Sequence, residues 1–170
     1  MEKIRVFICF ELSKKVTNSL RDLIHYLKTF GRGVRWVRHD SIHLTLKFIG
    51  EIEASQLDEI ADAIEKVVKN YKPFKIKLSG KGAFPNFKRP KVFWIGISEV
   101  ENTIRQIQED IETALEELGF PREERGFSPH LTLGRVKFQD PTVNKIALEM
   151  ERMKVEEIEF TLNEVVIMQS

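Results

Sequence analysis

The tetrapeptide His-Leu-Thr-Leu occurs twice in this chain, beginning at His43 and again at His130. The chain has four histidines, and a given histidine would be followed by Leu-Thr-Leu by chance about once in three thousand times. Alternate residues of a β-strand point to opposite faces, so each histidine would share a face with the threonine two residues later, Thr45 or Thr132. The leucines would anchor each strand in the core. Each copy therefore predicts an imidazole and a hydroxyl held side by side on an open strand face.

Two such faces at one cleft would supply the groups that phosphodiester cleavage needs. In-line displacement at phosphorus removes a proton from the attacking oxygen and delivers one to the leaving oxygen on the opposite side. Histidine titrates near neutrality, so one imidazole can be neutral while the other is charged. Threonine hydroxyls can donate hydrogen bonds to the non-bridging phosphate oxygens. We therefore predict a catalytic site of His43, Thr45, His130 and Thr132, and no metal, since the sequence offers no metal-ligand spacing.

Hydrophobic periodicity predicts that strands and amphipathic helices alternate along the chain. The predicted strands are residues 3–11, a segment from residue 42, 74–79, 91–97, 130–138, and 155–168 as one long or two short strands. The predicted helices are residues 13–30, one that begins at Ser55 as its N-cap, 104–118, and one from Asp140 and Pro141 to Met153. Residues 31–41 and 80–90 are predicted to be loops.

This order is one β-α-β-α-β unit followed by another, which we interpret as an internal repeat of about 3–84 and 90–168. The strand that starts at Arg5 lies 38 residues before His43, and the similar strand that starts at Lys91 lies 39 residues before His130. The tetrapeptide would then recur because the whole half recurs. Two facing halves would bring equivalent strands to one shared cleft, although duplication alone could also preserve the two copies as structural echoes.

The composition is that of an ordinary globular protein. The chain has 170 residues, of which 42% are hydrophobic and 31% charged. Its net charge of +1 excludes a globally basic protein, so nucleic-acid binding would need a local patch. No run of apolar residues is long enough to span a membrane. Cys9 is the only cysteine and is predicted to be a small core residue; without a partner for a disulfide, a reducing cytoplasm is the expected compartment.

Basic and aromatic residues lie close to the first tetrapeptide and in the middle loop. Arg35, Trp36 and Arg38 precede the tetrapeptide, Lys47 follows it, and Phe84 lies in the middle loop. Basic groups of this kind can follow an RNA backbone, and aromatic rings can stack on bases. The alternative is a pair of solvated loops with Trp36 and Phe84 packed in the core, and for these two rings the core position is the favoured one.

Three blocks of the sequence resemble the two-histidine phosphoesterase superfamily, and within it the RNA 2′,3′-cyclic phosphodiesterase (2′-5′ RNA ligase) family. They are RWVRHDSIHLTLKFIGEI, GAFPNFKRPKVFWIGI and FSPHLTLGRV. The resemblance covers nearly the whole chain. It implies an α+β, bilobal fold of one domain, residues 1–170, in which two pseudo-twofold-related half-domains place antiparallel sheets around a central cleft and helices on the outside.

The same resemblance implies roles for particular residues. His43 and His130 would be the catalytic histidines, with His43 as the acid and His130 as the base. Thr45 and Thr132 would bind the phosphate, and Arg135 is the basic residue that follows the second motif. The implied reaction is metal-independent hydrolysis of RNA 2′,3′-cyclic phosphate ends to 2′-phosphates, with ATP-independent 2′-5′ joining of RNA ends as a second activity. No cofactor is implied.

The expected partner is RNA that ends in a cyclic phosphate, tRNA fragments included, and the chain is expected to be a monomer that does not contact a membrane. Two other functions stay open. One is a cyclic phosphodiesterase acting on a small nucleotide such as an ADP-ribose cyclic phosphate, and the other is a non-catalytic RNA-binding module. Histidine and threonine are intact in both copies, which favours an enzyme.

Overall fold

Strands and helices alternate in the computed structural model, which describes residues 2–99 and 101–170. In chain order the elements are β1 (Lys3–Phe10), α1 (Lys14–Lys28), β2 (Val34–Trp36), β3 (Leu44–Glu53), α2 (Leu57–Val68), β4 (Phe74–Phe84), β5 (Val92–Ser98), α3 (Thr103–Glu117), β6 (His130–Val136), α4 (Pro141–Arg152), β7 (Glu159–Leu162) and β8 (Val165–Gln169). Short 3-10 turns at His39–Ser41 and Ala54–Gln56 precede β3 and α2.

The strands form two antiparallel sheets, one in the order β3-β1-β8 and the other in the order β2-β6-β5-β4-β7. This confirms the predicted α+β class. In both sheets the strand that carries a tetrapeptide lies beside the first strand of its own half, as β3 lies beside β1 and β6 beside β5. The other neighbour of that first strand comes from the opposite half, because β8 pairs with β1 and β4 pairs with β5. The internal repeat itself stays a prediction.

The leucines of both tetrapeptides are core residues, as predicted. Leu44, Leu46, Leu131 and Leu133 are all 0–3% exposed. Burial of one leucine side chain contributes about 1.5–3 kcal/mol, so these four residues fix which face of each strand is turned inward. A slip of one residue would turn the leucines out and the polar residues in, and burial of the leucines therefore sets the register of the site.

Strand β4 is longer than predicted, because the predicted loop over 80–90 begins only after Phe84. Its register against β5 shifts between Leu78 and Lys81, which face Ile97 and Ile95, so β4 holds one additional residue there. Gly80 has a φ of +83°, a conformation that glycine adopts without steric cost. The bulge lets the strand continue toward the cleft.

Two other sequence predictions need correction. Residues 34–36, expected to be part of a loop, form the edge strand β2 beside β6. Ser55 is not the N-cap of α2, since the backbone N–H of Glu53 donates to Oε1 of Gln56 at 2.9 Å in a capping box and α2 begins at Leu57. The C-terminal segment forms two short strands, which is one of the two predicted forms. Of these, β8 lies beside β1, and β7 lies at the outer edge of the other sheet beside β4.

The predicted start of the last helix is confirmed. Asp140 is the N-cap of α4 and Pro141 its first helical residue. Oδ1 of Asp140 accepts a hydrogen bond from the backbone N–H of Thr142 at 2.8 Å. Hydrogen bonds from Thr142 hold the pKa of the Asp140 carboxyl below its ordinary value.

Among residues 2–99 and 101–170, no helix combines the length and the apolar character that crossing a membrane requires.

Cys9 is fully buried in β1, as predicted, and its thiol is expected to be unreactive in the native protein. Burial, with a smaller effect of Glu11, raises its pKa to about 12. The thiolate is the reactive form, so the native protein at about pH 8 should not be alkylated by iodoacetamide. The same treatment in denaturant should add one carbamidomethyl group per chain. Mass spectrometry measures both, and complete alkylation of the native protein at the denatured rate would contradict this burial.

Candidate active site

Both tetrapeptides contribute to one cleft with a volume of about 390 Å³. His43, Thr45, His130 and Thr132 all line it. The strands β3 and β6 belong to different sheets but approach one another across this cleft. The structure thus brings together the four residues that the sequence singled out, and all four side chains are half-buried.

His130 is oriented by the backbone of the segment that precedes β6. Its Nδ1 lies 2.7 Å from the carbonyl oxygen of Ser128. A carbonyl oxygen only accepts, so Nδ1 must donate and carry the proton. In the neutral imidazole, Nε2 then has a free lone pair.

Two aromatic rings surround the imidazole of His130. The ring of Phe84 meets it edge to face, with centroids 5.3 Å apart, and the indole of Trp94 lies at 6.0 Å. The indole fits there because residue 82 is glycine, where a Cβ atom would lie 2.1 Å from Cζ2 of Trp94.

His43 is held mainly by apolar neighbours. It lies between the buried residues Ile42 and Leu44 at the start of β3. Phe7 of β1 meets its imidazole with centroids 6.0 Å apart and an interplanar angle of 60°. Phe7 also contacts Phe48, which is 62% exposed. The two histidines therefore have different surroundings, although their local sequences are identical.

Lys47 does not fit the RNA-binding role predicted for it. Its Nζ lies 2.5 Å from Oε1 of Glu112 and donates to the carbonyl oxygen of Pro121 at 3.0 Å. The side chains of Lys47 and Glu112 are each only 3% exposed. Lys47 is among the residues that line the cleft, but its ammonium group is already paired inside the protein and is not free to bind a phosphate.

The basic and aromatic residues before the first tetrapeptide lie outside the residues that line the cleft. The ring of Trp36 stacks on Phe93 at 6.1 Å and packs against the core, which fits the core alternative. Nη2 of Arg38 forms an ion pair with Asp40 at 2.9 Å. Arg35 is exposed on β2. Arg35 lies directly across from Arg135 in the pairing of β2 with β6.

Phe84 is not a core residue, so the core interpretation was wrong for this ring. It is 40% exposed at the end of β4, beside Trp94 and His130. Arg135, in contrast, lines the cleft as expected, with an exposed side chain on β6. Of the predicted RNA-binding residues, Phe84 and Arg135 are therefore the two whose exposed side chains lie close to the tetrapeptide residues.

The segment 120–129 contributes several residues to the cleft that sequence reasoning missed. Arg125, Phe127 and Ser128 line it. The basic side chain of Arg125, five residues before His130, was a signal that could have been used. Ser128 acts through its backbone carbonyl, and the residue type carries no sign of that role.

The arrangement is suited to acid and base chemistry on a phosphate. Imidazoles from two strands reach one cleft, each beside a hydroxyl, and Arg135 adds a positive charge. In the part of the chain that the structure describes, no three histidine, cysteine, aspartate or glutamate side chains are grouped so as to hold a metal.

Comparisons with known proteins match most of the chain. The profile of the 2′-5′ RNA ligase superfamily matches residues 18–170. An RNA 2′,3′-cyclic phosphodiesterase of Thermotoga maritima is 33% identical over 155 residues, which is 90% of this chain and 81% of the relative. One from Aquifex aeolicus is 34% identical over 151 residues, 86% of this chain and 78% of the relative. The solved structure of TT0787 of Thermus thermophilus has a TM-score of 0.78 at 24% identity, covering 96% of this chain and 87% of that one. On this evidence the chain belongs to the 2′-5′ RNA ligase superfamily.

Proposed function

We propose that this chain hydrolyses the 2′,3′-cyclic phosphate ends of RNA to 2′-phosphates. The proposal rests on one observation: both histidine–threonine pairs, His43 with Thr45 and His130 with Thr132, line the same cleft. The names of the Thermotoga and Aquifex relatives support a cyclic phosphate on RNA, rather than on a small nucleotide, as the substrate.

His130 acts as the general base. Because its Nδ1 donates to the carbonyl oxygen of Ser128, the neutral ring offers Nε2 to a water molecule. His43 acts as the general acid. The water oxygen bonds to phosphorus as its proton moves to His130, the bond to the 3′-oxygen breaks, and a proton from His43 completes the 3′-hydroxyl. The product keeps the phosphate on the 2′-oxygen.

Thr45, Thr132 and Arg135 stabilise the charge that grows on the phosphate. The two hydroxyls are on the same strand faces as the imidazoles and can donate to the non-bridging oxygens. The guanidinium of Arg135 is exposed in the cleft and can pair with the same oxygens. Fixed donors of this kind strengthen their contacts as charge develops, which lowers the barrier.

The same site joins RNA ends when a 5′-hydroxyl takes the place of water. His130 then removes the proton of that hydroxyl, and the product is a 2′-5′ phosphodiester. The strained ring supplies the driving force, so ATP is not required. Water is abundant, so joining is the minor reaction unless two ends are held together at high effective concentration.

The decisive experiment compares His43→Ala and His130→Ala with His25→Ala, a matched variant of an exposed histidine on α1. Loss of an acid or a base typically costs about a hundred- to ten-thousand-fold, and we expect that loss in kcat for cyclic-phosphate opening by either cleft variant. His25→Ala should turn over normally. Joining of RNA ends, measured on the same panel, should fall with opening.

Thr45→Ala and Thr132→Ala complete the panel and should lose on the order of ten- to a thousand-fold, since the phosphate keeps other donors. Circular dichroism confirms that each variant is folded. Wild-type rates in either histidine variant would disprove the acid–base pair. A wild-type protein that binds RNA without opening the ring would favour the RNA-binding module instead.

We also expect turnover that persists in excess EDTA and a rate that rises and then falls as pH is increased. One histidine must be neutral and the other protonated for the proposed reaction, so the rate drops when both are in the same state. The measurement is kcat/KM against pH after chelation. Complete loss of activity with EDTA, reversed by added zinc or magnesium, would contradict the proposed chemistry.

The roles of the two histidines are separable with a 3′-thio substrate. A thiolate leaves without needing a proton, so the sulfur substitution should rescue His43→Ala by a larger factor than His130→Ala. The ratio of the two rescue factors is the quantity to measure. A larger rescue of His130→Ala would exchange the assigned roles, and a 3′-phosphate product from the natural substrate would overturn the direction of ring opening.

A further inference from the structure

The segment 120–129, which we term the strap, connects α3 to β6 and is held by polar contacts near both of its ends. Near its beginning, the carbonyl oxygen of Pro121 accepts from Nζ of Lys47 at 3.0 Å, and the backbone N–H of Glu123 donates to Oε2 of Glu112 at 2.7 Å. Near its end, the carbonyl oxygen of Phe127 accepts from Nη1 of Arg105 at 2.7 Å. The next carbonyl, that of Ser128, is the acceptor for His130.

Lys47 and Glu112 are the buried members of this set. They lie 2.5 Å apart, each 3% exposed. Lys47 is on β3, an even number of residues after His43 and Thr45, while Glu112 is on α3. Each contacts its partner and also the strap, so the pair ties the strand of the first tetrapeptide to the segment that orients the second histidine.

Stability alone is a weak reason for such a pair. Transfer of two charges from water into a protein interior is unfavourable, and buried ion pairs can often be replaced by apolar residues without loss of stability. The two hydrogen bonds to the strap are different, because apolar residues cannot provide them. The hydrogen bonds to the strap therefore explain the presence of these two charged residues better than stability does.

We infer that Lys47 and Glu112 are positioning residues, which hold the strap so that the Ser128 carbonyl fixes the imidazole of His130 for proton transfer. This inference rests on the proposed function. Without the pair, the beginning of the strap loses two partners and the carbonyl of Ser128 is less firmly placed. Proton transfer should suffer more than binding, because Thr45, Thr132 and Arg135 do not depend on the strap for their positions on β3 and β6.

The test compares Lys47→Met with the double variant Lys47→Met/Glu112→Met. In the single variant an unpaired carboxylate stays buried, whereas the double variant replaces both charges by apolar side chains of similar length. The matched control is Lys3→Met, which removes a lysine from an exposed ion pair, with Glu51, in the same sheet. For each protein, kcat and KM are measured on RNA with a cyclic phosphate end, together with the melting temperature and amide hydrogen exchange of residues 120–129.

We expect Lys47→Met to lose about tenfold or more in kcat with KM changed less than about threefold, since a small misplacement of a catalytic group acts on the chemical step. Its strap amides should exchange faster. The double variant should regain melting temperature but keep the low kcat and the fast exchange. Lys3→Met should match the wild type in every measurement.

A double variant with wild-type kcat would overturn the inference, because it would show that the pair serves only stability. Failure of both Lys47 variants to fold would overturn it for the same reason. A wild-type protein that cannot open the cyclic phosphate would instead contradict the proposed function, and hydrogen exchange would still show whether the pair holds the strap. Normal turnover by the wild type and by Lys47→Met alike would contradict only the positioning role.

Discussion

The burial of four leucines is the constraint on which the site depends. Leu44, Leu46, Leu131 and Leu133 are 0–3% exposed and fill the core side of β3 and β6. Because side chains alternate along a strand, their burial leaves the histidines and threonines with the opposite face. The placement of these four polar side chains on the cleft side is thus a consequence of core packing.

Core packing determines which strand face carries the histidines, whereas other contacts determine the orientation of each imidazole ring. The carbonyl of Ser128 accepts from Nδ1 of His130, whereas His43 is bounded by Phe7 and its apolar neighbours. Two copies of one tetrapeptide therefore have unequal surroundings. The proposed reaction assigns the two histidines different tasks, one as the base and the other as the acid.

The sequence was sufficient to predict features that depend on local chemistry. Residue type and spacing were enough to predict the placement of the tetrapeptides, the Asp140–Pro141 helix start and the burial of Cys9. The order of strands and helices, together with the family resemblance, predicted the α+β class. The failures involve partners distant in sequence. Residues 34–36 form a strand because β6 lies beside them. Strand β4 continues beyond Gly80 because a bulge keeps it paired with β5. The ammonium group of Lys47 is already paired because Glu112 lies next to it. The role of Ser128 depends on a backbone atom, which residue type does not encode.

The pairing of β8 with β1 and of β4 with β5 bears on how such a chain could have arisen. On the proposed repeat, the three-stranded sheet takes β8 from the second half, and the five-stranded sheet takes β2 and β4 from the first half. One half alone would therefore leave one side of its first strand unpaired. Two identical short chains could close both edges by exchanging their last strands, as in a domain-swapped dimer. In that ancestor each chain would have supplied one histidine, and fusion of the two genes would have freed each copy to acquire its own neighbours.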